Sequence, residues 1–318
     1  MSKKNIVAIQ ADSLESLKPG SDSSLFIAAE LCKRGYEIFF YSPNNLSLIN
    51  NNCIASGRFV DVKYSKHQSN FTLKHETILN LTKVHALLIR QDPPFNMSYV
   101  TNTYILETLA PKVLMINNPS AIRSNSEKMV VFKFPEFIPP SIVISSLNEM
   151  VIEFITYHEQ IVIKPLYWFG GKFIDYMEVN NLKDIKKIIN SALKKHGQII
   201  IQKFIPTIYK GDKRIIIIDG KAVAAIRRIP SPGNFLANLA VGGTAEKTEL
   251  TKKEKTISTI VGEYLKKQDI IFAGIDMIDE YLIEVNLTSP TGLVAIEKLY
   301  GLNLGENIAS YIENAGKN

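Results

Sequence analysis

Two carboxylates and an amide in the C-terminal third form the sharpest chemical pattern of the chain: Asp276, then Glu284-Val-Asn286. Residues two apart in a strand share a face, so Glu284 and Asn286 point the same way. A two-residue turn at Asp279-Glu280 would pair Ile275 with Glu284 and send Asp276 to the other face. A three-residue turn ending at Tyr281 would set Asp276 opposite Glu284, and this register is expected because it gathers all three groups. Hard oxygen donors of this kind suit Mg2+, which takes its remaining ligands from water and nucleotide phosphates. The apolar neighbours Ile270–Phe272, Ile275 and Ile283 mark the hairpin as buried, where acidic groups need a partner.

Cations come next. Lys164 ends the run Ile161-Val-Ile163 and so emerges from a buried strand, which Pro165 then breaks. With Lys128 it could meet the phosphates of a nucleotide lying under a glycine turn. Gly170-Gly171 lets backbone amides approach phosphate oxygens closely, although the same pair also suits a plain hairpin turn. Gln202-Lys203-Phe204-Ile205 ends a further strand, where edge backbone groups could read an adenine ring walled by Ile163 and Phe204. Arg214 and Arg228 lie on facing strands of a hairpin and could clamp carboxylate or phosphate through their fork geometry, or form surface ion pairs.

The elements that position these residues follow from periodicity and punctuation. Strands are expected at Asn5–Gln10, Glu37–Tyr41, Ala86–Arg90 and Val113–Asn117. Between them lie helices over Leu25–Arg34, capped by Ser23 or Ser24 and stopped by Gly35, and near Tyr99–Leu109. Such alternation implies a parallel sheet, whose ligands collect beyond the strands' carboxyl ends; Arg90 stands at one. In the middle region Asn125 or Ser126 can cap a helix containing Lys128. Strands follow at Ser141–Ser145, Gln160–Leu166, Phe173–Val179 and Gln198–Ile205, with helices Leu147–Tyr157 and Leu182–Lys195. The last region reads as antiparallel: Lys213–Ile218 and Ala222–Ile229 flank Asp219-Gly220, a strong hairpin signal. Pro230–Gly243 is a loop rich in Pro, Gly, Asn and Ser. Helix Leu250–Lys267, strands Phe272–Ile278 and Leu282–Leu287 and two helices complete the chain. The fold class is α/β plus α+β, in three regions, 1–120, 121–206 and 207–318.

Length, 318 residues, allows several lobes, and 46% hydrophobic with 21% charged residues is an ordinary globular mixture. No apolar run approaches the roughly 20 residues that span a bilayer, and the N-terminus shows no cleavable signal. Membrane association is therefore not expected. Two cysteines, Cys32 and Cys53, and five scattered histidines give no metal-ligand spacing or disulfide framework, which fits a cytoplasmic protein. The net charge of +6 is spread over lysines at helical spacing, without interleaved aromatics, so nucleic acid is not an expected partner.

Taken in order, these strings resemble the bacterial glutathione synthetases, a family of ATP-grasp ligases, over nearly the whole chain. They are Ser21-Asp-Ser-Ser24, Arg90-Gln-Asp-Pro-Pro-Phe95, Asn125-Ser-Glu-Lys128, Ile163-Lys-Pro165, Gly211-Asp-Lys-Arg214, Arg228-Ile-Pro230, Asn238-Leu-Ala-Val-Gly-Gly243, Gly274-Ile-Asp276 and Glu284-Val-Asn-Leu-Thr-Ser-Pro-Thr-Gly292. The resemblance implies a preATP-grasp domain followed by a two-lobed ATP-grasp domain with ATP between the lobes. It implies that Lys128, Lys164, Gly170 and Gly171 face ATP phosphates and that Gln202, Lys203, Phe204 and Ile205 hold adenine. Asp276, Glu284 and Asn286 would bind Mg2+, or Mn2+ in its place. Arg214, Arg228 and Asn238 would serve the reaction, and Arg90, Ser289, Thr291 and Gly292 the substrate. The implied substrates are γ-glutamylcysteine and glycine: the cysteinyl carboxylate attacks the γ-phosphorus of ATP, and glycine's amine then attacks the acylphosphate. A homo-oligomer, tetrameric by resemblance, is implied as well.

Two strings depart from the family pattern. Tyr167-Trp-Phe-Gly-Gly171 stands where the family carries Asp-Gly-x-Gly-Gly, and Leu236-Ala237 stand where the loop often carries an arginine. The aromatics could cover a nucleotide or spoil its approach. A different ATP-grasp ligase, or a nucleotide-binding homologue with weakened activity, are the alternative readings.

Overall fold

The computed structural model describes residues 5–315. The first sheet is built on β1 (Ile6–Ala11), whose six residues are all buried, and β2 (Glu37–Tyr41), joined by helix α1 (Ser23–Lys33). The cap of α1 is Asp22, whose carboxylate accepts from the Leu25 amide at 2.7 Å; the expected serines are instead the buried first residues of the helix. β3 (Leu46–Ile49), β4 (Asn52–Ser65) and β5 (Gln68–Asn80) follow. After them come β6 (Ala86–Arg90), α2 (Met97–Glu107), β7 (Leu114–Ile116) and α3 (Pro119–Ser124). β2, β1, β6 and β7 are parallel neighbours, as strand–helix alternation requires.

The long β4–β5 hairpin extends this sheet antiparallel from β2. No strand is expected between Tyr41 and Ala86, although Val60-Asp-Val-Lys-Tyr64 alternates apolar and polar residues. The hairpin's tip turns at Lys66-His67, both at positive φ, without the usual Asn-Gly or Asp-Gly pair, and β5 is mostly exposed and polar.

The second sheet, of four strands, comprises β8 (Ser141–Ile144), β9 (Gln160–Pro165), β10 (Asp175–Glu178) and β11 (Ile199–Lys203), with α4 (Glu149–His158) and α5 (Leu182–His196) on one face. Alternation decides which β9 residues meet those helices. Ile161 and Ile163 join the apolar cluster with Ile155 and Ile189, and Val162 and Lys164 face the other way. Ile163 is therefore core and not a wall of a ligand slot; Val162 takes that place.

The third sheet has the order β14 (Thr244–Lys247), β13 (Lys221–Ile229), β12 (Asp212–Ile218), β15 (Phe272–Ile278), β16 (Tyr281–Asn286) and is antiparallel throughout. α6 (Lys252–Lys267) opens with a capping box between Thr251 and Glu254. α7 (Leu293–Tyr300) and α8 (Gly305–Ala315) close the chain. No helix among the described residues is long and apolar enough to cross a membrane. Cys32 and Cys53 are free.

The first and third sheets share continuous apolar clusters. At their junction Asn117, 2% exposed, donates to the carbonyls of Phe272 and Leu287 (2.7 and 2.8 Å) and accepts from the amides of Ile271 and Phe272 (both 2.8 Å). One side chain thus satisfies four backbone groups of buried residues. Replacing it with alanine removes all four bonds at once. Asn117→Ala is expected to lower unfolding free energy by roughly 3–5 kcal/mol in urea titrations; a loss below about 1 kcal/mol would show that the junction does not rest on this residue.

Candidate active site

The face of the third sheet turned toward the second carries a patterned row of charges. Asp212 and Arg214 are two apart on β12; Arg228 is the cross-strand partner of Asp212, and Asp276 of Arg214. Glu284 is the cross-strand partner of Asp276, as expected, but by another route. The turn holds only two residues, Asp279-Glu280, and a β-bulge that leaves Ile283 unpaired brings Glu284 opposite Asp276. Without that extra residue the two carboxylates would lie on opposite faces.

Asp276 is the hub. Its carboxylate accepts from Arg214 through Nε and Nη2 (2.5 and 2.9 Å), from Arg228 Nη2 (3.0 Å) and from Asn286 Nδ2 (3.1 Å). Burial alone would raise its pKa, but the two guanidinium groups outweigh it and hold the carboxyl well below the usual carboxylate range. Arg228 also donates from Nε to Asp212 Oδ1 (2.7 Å), and its Nη1 has no protein partner among the described residues. Gly274 makes the packing possible: a Cβ there would stand 2.9 Å from Arg214 Cδ. Asp276, Glu284 and Asn286 bring carboxylate and amide oxygens together on one face of the sheet. A hard-oxygen set of this kind fits a divalent cation that also draws ligands from a bound anion.

Lys128 and Lys164 face this row. Lys128 lies in a turn before a short 3-10 helix (Val130–Lys133) rather than in the expected α-helix, because Asn118, not Asn125, provides the cap and the helix it starts ends at Ser124. Its ammonium reaches Glu284 Oε1 at 3.0 Å and donates to the Trp168 carbonyl of the glycine turn. Lys164 donates to Gln202 Oε1 at 2.6 Å, and Gln202 donates to Ser141 Oγ at 2.7 Å. Burial pulls the Lys164 pKa down to about 8, with Glu284 opposing. Four cations here face three carboxylates, a balance that favours an anionic ligand.

Two recesses adjoin at this row and share Arg228 and Asn238. The first is largely apolar, walled by Val162, Ile174, Phe204 and Ile283, with Lys128 and Lys164 at one end. Lys203 and Ile205 also line it. The amides of Lys203 and Phe204 donate to Pro140 and Gln160 carbonyls (both 2.9 Å), whereas the Ile205 amide has no partner among the described residues. Phe235 and Ala237 of the Pro230–Gly243 loop pack here, Phe235 within 6.1 Å of Phe204 and 6.0 Å of Tyr176 between ring centres.

The second recess contains Asp92, Lys172, Arg214, Ser289, Thr291 and Gly292 beside the apolar Phe169, Ile226 and Leu239. The Thr291 carbonyl accepts from Arg214 Nη1 at 3.1 Å. Arg90 lines neither recess. It stands 3% exposed behind the second, donating to Pro290 O (2.8 Å) and Ser24 Oγ (3.0 Å).

Tyr167 stacks on Phe95 (6.4 Å), Trp168 meets Phe173 edge-on (4.8 Å), and Gly170 and Gly171 hold positive φ of 64° and 77°.

Two residues escaped assignment from the sequence. Asp212 was readable as the residue two before Arg214. Glu127 accepts from the amides of Leu287 and Thr288 (2.8 and 3.0 Å) and from the Thr288 hydroxyl (2.8 Å), tethering the loop that lines the second recess. Burial, then the nearby Glu284, raises its pKa. Its only sequence signal is its place beside Lys128.

The Lys164 geometry sets a pH dependence. The amine is charged below about 8 and neutral above it, and an anion bound beside it favours the charged form. Calorimetric titration with inorganic triphosphate should therefore show affinity falling as pH rises through 8. Lys164→Met should bind weakly and lack that decline; a decline of equal size in the variant would rule out Lys164 as its source.

Comparison with known proteins matches residues 6–123 to the N-terminal domain, and 127–301 to the ATP-grasp domain, of prokaryotic glutathione synthetase. A glutathione synthetase of Anaplasma centrale is 38% identical over 311 residues, spanning 97% of both chains. That of Mesorhizobium japonicum is 34% identical over 316 residues, 98% of this chain and 99% of the relative. Among solved structures, a D-cycloserine synthetase is similar with TM-score 0.67 at 12% identity, over 96% of this chain and 99% of that one. A D-alanyl-alanine synthetase A of Vibrio cholerae reaches 0.62 at 14% identity, over all of both chains. At such identities these two share the fold.

Proposed function

The chain belongs to the prokaryotic glutathione synthetase family, and from that premise we propose that the paired recesses join γ-glutamylcysteine to glycine at the expense of ATP. The observation that supports this most is the shared wall. One charged row borders both recesses, the first walled by Val162, Ile174 and Phe204 and the second carrying Asp92, Lys172, Ser289 and Thr291, so a γ-phosphate and a carboxylate can meet at Arg228 and Asn238.

In this reading the adenine lies against Val162 and Phe204, with the Ile205 amide as donor, and Lys128 and Lys164 neutralise the phosphates. The cysteinyl carboxylate attacks the γ-phosphorus and ADP leaves. Glycine's amine then attacks the acyl carbon, loses a proton and expels phosphate. Arg228, held rigidly by Asp212 and Asp276, offers its open Nη1 to the oxygens that gain charge in both steps. Because the arginines are oriented before substrate arrives, little reorganisation is needed at the moment of reaction. Asp276, Glu284 and Asn286 would hold Mg2+, with Mn2+ as a substitute, and the ion would neutralise phosphate charge. Pro230–Gly243 closes over the site and keeps water from the acylphosphate. Family resemblance also supports a cytoplasmic homotetramer, with residues 1–120 as the substrate domain, 121–206 the small lobe and 207–318 the large lobe.

Phosphate release should require ATP, Mg2+, γ-glutamylcysteine and glycine together; release independent of both co-substrates would refute the proposal. Glu284 leaves Lys128 without its carboxylate when replaced, and it supplies one of three oxygens for the ion. Glu284→Ala should therefore reduce turnover by at least ~100-fold with an unchanged circular dichroism spectrum. Wild-type turnover in that variant would remove Glu284 from the metal set.

A further inference from the structure

Three cations line the second recess, and their states differ. Arg214 and Arg228 are bound to Asp276 and Asp212. Lys172 has no acidic side chain within ion-pair distance among the described residues. Its ammonium stands 4.8 Å from the centre of the Phe169 ring, which lines the same recess. A cation over an aromatic face gives up little hydration and stays free to accept an anion in front of it.

Lys172 also sits at a contact between turn and loop. It follows Gly171, where a Cβ would approach Leu236 Cδ1 to 3.1 Å and Asn238 Oδ1 to 3.2 Å, so the turn and the loop already touch. From Ile229 to Glu246 that loop contains neither lysine nor arginine. Positive charge on this side of the recess therefore comes from the turn. The recess also presents Asp92, so it offers a cation and a carboxylate together. That pair is the complement of a zwitterionic amino-acid head.

We propose that Lys172 is a specificity-determining residue that binds the α-carboxylate at the glutamyl end of the acyl substrate, with Asp92 facing the adjacent ammonium. The inference rests on the ligase reading above. The reacting carboxylate must sit deep, between Arg228 and the phosphates. The exposed Lys172 at the rim is left for the opposite end of the dipeptide.

Steady-state kinetics on the full chain test this. Lys172→Met should raise KM for γ-glutamylcysteine roughly tenfold, as expected for the loss of one charge-assisted hydrogen bond. KM for ATP and glycine, and kcat, should stay within about twofold, and Lys172→Arg should restore the wild-type KM. Wild type should show the same KM increase with a dipeptide whose glutamyl α-carboxylate is amidated, and Lys172→Met should add nothing to it. An unchanged dipeptide KM, an increase confined to ATP or glycine, or additive penalties would each overturn the assignment while leaving the ligase reading intact. If wild type releases no glycine-dependent phosphate, both fall.

Discussion

A carboxylate that is buried against two arginines organises the molecule. Asp276 accepts from Arg214, Arg228 and Asn286, and Arg228 is shared with Asp212. None of these charges would be stable in that position alone, because removing an ion from water costs several kcal/mol and is recovered only by good geometry. The result is a rigid charged floor whose donors point the same way in every molecule. It also constrains the backbone: four neighbouring strands must keep a register that puts these side chains on one face.

The rest of the fold serves that floor from three sides. From the N-terminal sheet, Asn117 pins the edges of β15 and the segment after β16, and Arg90 holds the carbonyl of Pro290 from behind. From the segment between the sheets, Glu127 tethers Leu287 and Thr288, and its neighbour Lys128 reaches Glu284. From the second sheet, Lys164 and Gln202 form the opposite wall. Adjacent residues such as Glu127 and Lys128 thus do different work, one tethering the segment after β16 and the other pairing with Glu284.

Much of the site was legible because it depends on local chemistry. The Glu-x-Asn spacing, a lysine after an apolar run and a Gly-Gly turn all reflect rules that operate within a few residues. Where the reading failed, a longer-range constraint had decided. The three-residue turn expected near Tyr281 is a two-residue turn plus a bulge at Ile283, since the partner strand, not the turn, sets where Glu284 must stand. Ile163 and Val162 are equally apolar in sequence, and only the position of α4 and α5 tells which of them is core. The β4–β5 hairpin escaped notice because an exposed, polar outer strand has no alternation to display.

By itself, then, the sequence determined most strands and helices outside the β3–β5 segment and the stretch around Lys128, the family, and most residue types that face the two recesses, because hydrophobic period and turn chemistry are written locally. Tertiary structure alone decided that Arg214 and Arg228 are buried partners of Asp276 and not surface ion pairs. It likewise decided that Arg90 supports a loop from behind, and that Lys172 remains a cation without an acidic partner among the described residues. Pairing of charges depends on which distant strands become neighbours, and that is settled only when the sheets assemble and exclude water.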